Sequence, residues 1–322
     1  MTTTFTPLSV ANKFQRTYLA QIQAIDGSIQ SFGSSDGSSP LLTMEFMVKR
    51  DIMASAQTGT FRIRNINKST RNVIFKDWFD QGRWPSVKIQ AGYVGTPLST
   101  IFNGIGQTIY SYREEGGTDF ITEIEGHDYS LVMANSFSQW TIGSQANPVT
   151  QKQVISRLVN DLQLTAQKYN QTLGIGTING FSANRYSYTA NDFTWNILQQ
   201  ETNRLAYIDN GKIYAVPNNF VFQGDVTLIS SQTGLLGTPR QQQTYLIVEM
   251  LFEPGLIPGQ QVYLDTEDSN FTSVKQGTYK VTAVQHSGII SSALNGKCKT
   301  IATLQLVGTP LLVPFGLFTD TQ

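Results

Sequence analysis

Two separate stretches of this chain carry the same alternation of apolar and polar residues, which restricts the fold to one that uses a β module twice. Residues 100–128 read TIFNGIGQTIYSYREEGGTDFITEIEGHD, two alternating runs around a glycine turn, and a related arrangement returns over 245–306. A period of two marks a strand with one buried face, because successive side chains point to opposite sides of a sheet.

The rest of the chain extends the pattern. After a polar arm at 1–17, residues 18–29 predict a first strand, and SFGSSDGSSP at 31–40 a flexible turn before the strand LLTMEFMV. Residues 60–66 (TFRIRNI) alternate cleanly and are expected to run at the sheet edge. The period breaks over 69–79, where Val73, Ile74 and Trp78 fall at helical spacing behind the candidate cap Ser69, so one short inserted helix is expected. SVKIQAGY at 86–93, residues 100–112 and DFITEIE at 119–125 resume the alternation, with Gly116 and Gly117 supplying the positive φ of a tight hairpin. These strands suit a small antiparallel barrel or a sandwich.

The character changes at Asn147-Pro148. Thr150 and Gln153 have the spacing of a capping box, and Val154, Ile155, Leu158, Val159 and Leu162 form one apolar stripe behind them. A second helix is expected from Asp192, with Phe193, Ile197, Leu198 and Leu205 inward. It leads into AYID, then Asn210-Gly211, then KIYAV, the strongest short hairpin signal available. From Asp225 onward the chain is β again. TYLIVEMLF at 244–252 is nearly continuously apolar and predicts a strand buried on both faces, with Ile247 and Val281 as core residues. Further strands follow Pro258-Gly259, follow Gly277, and cover 299–306. The tail at 309–322 is apolar enough to dock on its own chain or on a neighbour.

Composition narrows the function. Only 14% of the residues are charged, against roughly 25% in ordinary globular proteins. A surface poor in charge suits a protein covered by neighbours. The 23 basic and 23 acidic residues cancel, so no long-range field gathers nucleic acid or anionic lipid. Cys298 is the only cysteine, which excludes an intrachain disulfide, and it reads as a small core thiol. The start MTTTFTPLSVANKFQR lacks a basic region followed by an apolar core, and no run of about 18 apolar residues occurs, so a soluble protein without membrane insertion is expected.

Few residues offer chemistry. His127 and His286 are the only histidines, too few for a multi-histidine metal site. Glu123, Glu125 and His127 could line one strand face as ligands, although a solvated face explains them more simply. His286 beside Ser287 is a poor nucleophile–base pair, since neighbours along a strand face opposite ways. Asp265, Glu267, Asp268 and Asn270 resemble part of a calcium loop, but Asn270 stands where glycine and Gln276 where a bidentate glutamate belongs. Gly104-Ile105-Gly106 and Gly174-Ile175-Gly176 lack a phosphate-cradling pattern and read as turns or close packing points. Aromatic stacking platforms would lack a basic stripe for nucleic acid, leaving only a sugar-binding alternative. The expectation is therefore no catalytic residues, no cofactor and no metal.

Three blocks carry a family resemblance: 102–125, from Phe102-Asn103-Gly104 to ITEIE; 149–217, ending YIDNGKIYAVP; and the last part, with GLLGTPRQ, FEPGLIPGQQVYL and GTYKVTAVQHSG. In this order they resemble the baseplate hub of long-tailed bacteriophages, in particular contractile-tailed ones, which is similar to the spikes of type VI secretion and related injection systems. Ile289 departs from the pattern, standing after His286-Ser287-Gly288 where an acidic residue is expected, which leaves the local turn there open.

The resemblance implies a mainly β, α+β fold of two similar small antiparallel β-barrels separated by a small α+β domain. The corresponding boundaries are 18–141 for the first barrel, with its helical insertion near 69–79, then 142–222 and 223–308. It also implies a homotrimer whose six similar faces meet a hexameric tail tube on one side and a trimeric central spike on the other. Implied partners are the spike, the tube or a tube-initiator protein, peripheral wedge proteins and the tape measure protein, with DNA only as passing cargo. Barrel strands would face the lumen and the helix at 150–164 the periphery. The place implied is the virion baseplate, after synthesis in the host bacterial cytoplasm. A tail-associated cell-wall hydrolase and a carbohydrate-binding β module are the alternatives.

Overall fold

The computed structural model describes residues 5–7, 13, 15–37, 41–53, 56–80, 82–169, 171–216, 220–242, 244–266, 274, 276–294 and 296–307. The apolar tail at 309–322, most of the N-terminal arm, and Glu267, Asp268 and Asn270 lie outside the described residues.

The chain is mainly β. Its first part holds β1 (Phe5–Pro7), β2 (Arg16–Gln23), β3 (Ile29–Gly33), β4 (Met44–Asp51), β5 (Thr58–Arg64), α1 (Lys68–Ile74), β6 (Ser86–Tyr93), β7 (Ser99–Arg113) and β8 (Phe120–His127). The middle holds α2 (Ser130–Asn135), β9 (Phe137–Gly143), β10 (Val149–Thr150), α3 (Gln151–Lys168), β11 (Gly174–Ile178), β12 (Asn184–Arg185), β13 (Ser187–Phe193), α4 (Thr194–Glu201), β14 (Ala206–Asp209) and β15 (Lys212–Ala215). The last part is β16 (Phe222–Ile229), β17 (Leu235–Gln242), β18 (Tyr245–Leu251), β19 (Gln260–Leu264), β20 (Gly277–Ile290) and β21 (Cys298–Leu306).

One 14-stranded sheet joins the first and last parts. Its pivot is β20, which pairs with β21 along one edge, while the other edge meets β19 over Gly277–Lys280 and β4 over Ala283–Ile290. The sheet wraps on itself: Tyr18, Phe46, Phe61, Ile89, Phe102 and Ile124, from six different strands, share one buried cluster. Val248, Val262, Val281 and Leu304 form another. Between them in sequence, Tyr129, Val132, Leu158, Leu198, Ile208 and Ile213 bury together where α2, α3 and α4 cover the β14–β15 hairpin.

Local chemistry explains why α3 starts where it does. Thr150 Oγ1 accepts from Gln153 N (3.2 Å) and Gln153 Oε1 accepts from Thr150 N (2.8 Å), a complete capping box that stabilises the helix by about 1 kcal/mol. All five residues of the expected stripe are buried.

Several expectations are corrected. The first strand ends at Gln23, because the Asp26 carboxylate accepts from Ser28 N and Oγ and turns the chain, so that Ile29–Gly33 is already the next strand rather than a flexible turn. β5 is not an edge: both its sides are bonded, to β4 and to β8. The inserted helix is capped by Asn67, whose Oδ1 accepts from Thr70 N, and stops at Ile74, leaving Trp78 and Phe79 exposed. Asp192 and Phe193 belong to β13, with α4 starting at Thr194 and Phe193 half-exposed against Phe137. Of the two hairpin glycines only Gly116 has positive φ. β20 runs straight through Ile289, which pairs with Glu45, so no turn forms there.

β18 alternates instead of burying both faces: Leu246, Val248 and Met250 are buried, while Ile247 is half-buried on the outer side. Val281→Ala is therefore expected to cost roughly 2 to 3 kcal/mol and Ile247→Ala only about 1, measured by urea unfolding.

Candidate functional site

The pairing registers make the duplication explicit. β5 pairs with β8 as Thr58–Arg64 against His127–Ile121, and β18 pairs with β21 as Tyr245–Leu251 against Gln305–Lys299, two antiparallel ladders of equal length. On the far side of β8, β7 carries a one-residue bulge between Gly106 and Thr108; on the far side of β21, β20 carries one between Val281 and Ala283. Aligned on the bulges, Ile109 opposite Ile124 corresponds to Val284 opposite Ala302, all four buried. The next pairs along the same faces correspond in polarity too, although Ser111 is exposed and His286 buried. Ser111 Oγ meets Thr122 Oγ1 at 2.9 Å, and His286 Nδ1 meets Thr300 Oγ1 at 2.9 Å. Strand order agrees throughout, β6-β7-β8-β5-β4 against β19-β20-β21-β18-β17. Bulges are specific features of a ladder, so their coincidence ties the two parts to one plan.

Where the two ladders meet the middle of the chain lies a buried polar junction. Met44, Phe46 and Val48 point inward from β4, and the same alternation sends Arg50 inward. Its guanidinium donates through Nε to Asp209 Oδ1 (2.8 Å) and through Nη2 to Oδ2 (2.7 Å), a bidentate pair shielded from solvent. Gln57 Nε2 donates to Asp209 Oδ1 (2.8 Å) and to Ile208 O (2.7 Å). Asp209 is held by the β14–β15 hairpin, whose Asn210 and Gly211 have φ of 47° and 76°. The tip is clasped to β7: Asn210 Nδ2 donates to Thr100 O (2.9 Å), and a Cβ at Gly211 would sit 2.7 Å from Tyr129 Oη. One ion pair thus fastens the middle of the chain to both flanks, since Arg50 also lies opposite Val284 of β20.

Two titratable groups beside it are tuned in opposite directions. Asp128 is buried with no hydrogen-bond partner for either carboxylate oxygen among the described residues. Burial, reinforced by the nearby charge of Asp209 and opposed by that of Arg50, raises its carboxyl well above the usual range. Burial, aided by the charge of Arg50, pushes the His286 imidazole down to about 3.

The folded chain therefore holds a proton on Asp128 that the unfolded chain releases above pH 3.8, and refuses one at His286 that the unfolded chain accepts below pH 6.5. Lowering the pH from about 6 to 4.5 favours unfolding through His286, by up to about 1.4 kcal/mol per pH unit, while Asp128 acts in the opposite direction. Asp128→Asn should make stability fall with acid relative to the wild type, and His286→Gln should make it rise. Urea midpoints across that range read both slopes.

The sequence candidates do not converge on a reactive centre. Glu123 is not solvated: it accepts from Arg62 Nε (3.1 Å) and Tyr112 Oη (2.9 Å), and Glu125 accepts from Thr108 Oγ1 (2.8 Å), a network across β5, β8 and β7. His127 is half-buried, and no group of three metal-ligating side chains occurs among the described residues. His286 points inward onto the Phe252 ring while Ser287 faces outward, as strand geometry requires. Asp265 Oδ1 accepts from Gln276 Nε2 (2.7 Å). Gly104 and Gly176 are packing points, where a Cβ would lie 2.5 Å from His127 O and 2.4 Å from the Tyr214 ring. Cys298 is buried in the first cluster, its thiol pushed up to about 11 by burial. The junction residues Arg50, Gln57, Asp128 and Asp209 escaped the sequence reading, although an arginine in phase with Met44, Phe46 and Val48 was a usable signal.

This fold is that of tail-associated β proteins. The structure is similar to the tail protein from Neisseria meningitidis MC58 (TM-score 0.55, 10% identity, covering 90% of this chain and 97% of that one). It is also similar to the 43 kDa tail protein of prophage MuSo2 from Shewanella oneidensis (TM-score 0.53, 8% identity, covering 89% and 98%). Against the lidded Francisella PdpA–VgrG complex the TM-score is 0.50 at 10% identity, covering 95% of this chain and 55% of that one. No curated protein matches the chain by sequence. The profile of the Baseplate hub gp41 family matches residues 34–287, and the chain belongs to that family. It is a structural component of the virion tail baseplate, not an enzyme. No described helix is long and apolar enough to cross a membrane.

Proposed function

We propose that three copies of this chain form the ring that joins a hexameric tail tube to a trimeric central spike and lines the channel through which the genome passes. The observation that carries this is the duplicated ladder: two parts of one chain with the same strand order, register and bulge give three copies six similar faces. A closed ring of three is thereby matched to a sixfold tube, while features present once per chain keep threefold symmetry for the spike. On this reading the units are the β bodies at 18–141 and 223–308 and the α+β body at 142–222, and the Arg50–Asp209 pair fixes the third against the first two.

The remaining partners are wedge proteins at the periphery, a tube-initiator protein and the tape measure protein. DNA passes without being held, in keeping with equal numbers of basic and acidic residues. Synthesis takes place in the host cytoplasm. Mass in solution tests the ring: the expected species has three times the 35.7 kDa of the chain, alone or with the spike added. A monomer under both conditions would refute it.

A further inference from the structure

Resting on the trimeric reading, we infer that neighbouring copies are joined by direct backbone pairing between the C-terminal half of β7 in one copy and β17 in the next, in a register that the chain itself specifies. Within one copy, β20 of the second ladder meets β4 of the first, and this junction serves as a template. Under the correspondence derived from the bulges and registers, β7 is the counterpart of β20 and β17 the counterpart of β4. The counterpart junction would therefore bring β7 against β17. One chain cannot make it, because these are the two ends of its eight-strand run β7-β8-β5-β4-β20-β21-β18-β17.

Both ends are available. Among the described strands β17 pairs only with β18. β7 meets β6 only from Ser99 to Ile105, and beyond the single bridge between Lys76 and Ile109 no described strand covers that edge from Tyr110 to Arg113. The bridge does not obstruct the join. Ile109 corresponds to Val284, which faces Arg50, whereas β17 ends at Gln242, the counterpart of Lys49, one position earlier.

The template gives the register. Ser287 lies opposite Met47 and Gln285 opposite Lys49. Met47 and Lys49 lie opposite Thr60 and Thr58 just as Arg240 and Gln242 lie opposite Ile247 and Tyr245. Tyr112 of one copy therefore faces Arg240 of the next, and Tyr110 faces Gln242. The side chains suit this placement. Tyr110 and Tyr112 stack at 5.7 Å, and Tyr112 Oη donates to the carboxylate of Glu123. Arg240 is exposed and makes no ion pair among the described residues, so it would arrive as a cation beside two aromatic rings and a carboxylate.

The test is disulfide trapping in the full-length chain carrying Tyr112→Cys and Arg240→Cys together. Ile52 N donates to Thr282 O, so even-numbered β20 residues point their backbone at β4, and Ser287–Met47 is a non-hydrogen-bonded pair whose close Cα atoms suit a disulfide. Mild oxidation is expected to give covalently closed trimers on non-reducing gels. Each single variant, and the shifted pair Tyr110→Cys with Arg240→Cys, should cross-link at least tenfold less. Trimers of correct mass that cross-link equally or better at the shifted pair would overturn the register while leaving the hub reading intact. Protein that remains monomeric before oxidation would overturn both.

Discussion

Arg50→Ala should cost about 3 to 5 kcal/mol of stability, as should Asp209→Ala, because each leaves the other partner's charge buried without compensation. Surface pairs in this protein carry no such weight: both side chains of Lys299–Glu249 are more than a third exposed. The double variant Arg50→Met with Asp209→Leu should be less destabilised than either single alanine variant, since it removes both charges and refills the space. Urea unfolding followed by fluorescence supplies the values for the cycle. Single variants within about 1 kcal/mol of wild type would mean that the junction does not hold the middle of the chain in place.

Phe252→Ala should be comparably severe, about 3 to 5 kcal/mol, and for a reason with mechanical content. Phe252 leaves the end of β18 in the second ladder but is buried in the cluster of the first, edge-on to Phe46 at 5.6 Å and to His286 at 5.7 Å. Tyr93 Oη donates to its carbonyl at 2.6 Å. Together with the β4–β20 pairing this makes the two ladders one cooperative body, so wild type should unfold without separating them. In Phe252→Ala the loss should appear in both ladders, read by hydrogen exchange at Phe61 in β5 and Val248 in β18. Protection lost in only one of them would contradict the shared core.

Alternation made most strands legible in the sequence, because a half-buried strand cannot avoid a period of two; SVKIQAGY matches β6 residue for residue. The capping box and the Asn-Gly hairpin were equally readable, since both are local backbone chemistry. What failed were features set by distant parts of the chain. That β5 lies inside the sheet depends on β8, some sixty residues later, and the half-exposure of Ile247 depends on which face β21 and β20 leave open. The junction was least visible of all. Arg50, Gln57 and Asp209 have meaning only when the hairpin tip is folded against β7, and no spacing encodes that approach.

The duplication lies between these cases. Its alternating runs were visible, but the matching bulges and ladders belong to hydrogen-bond registers that residues alone do not display.

End-on cryo-electron microscopy of the assembled hub tests the account most directly. It should show three copies of the chain placing six β bodies at about 60° intervals around an axial pore, as closed threefold symmetry of a duplicated unit requires. A ring of six chains, a dimer, or three chains whose second β bodies stand away from the pore would contradict it.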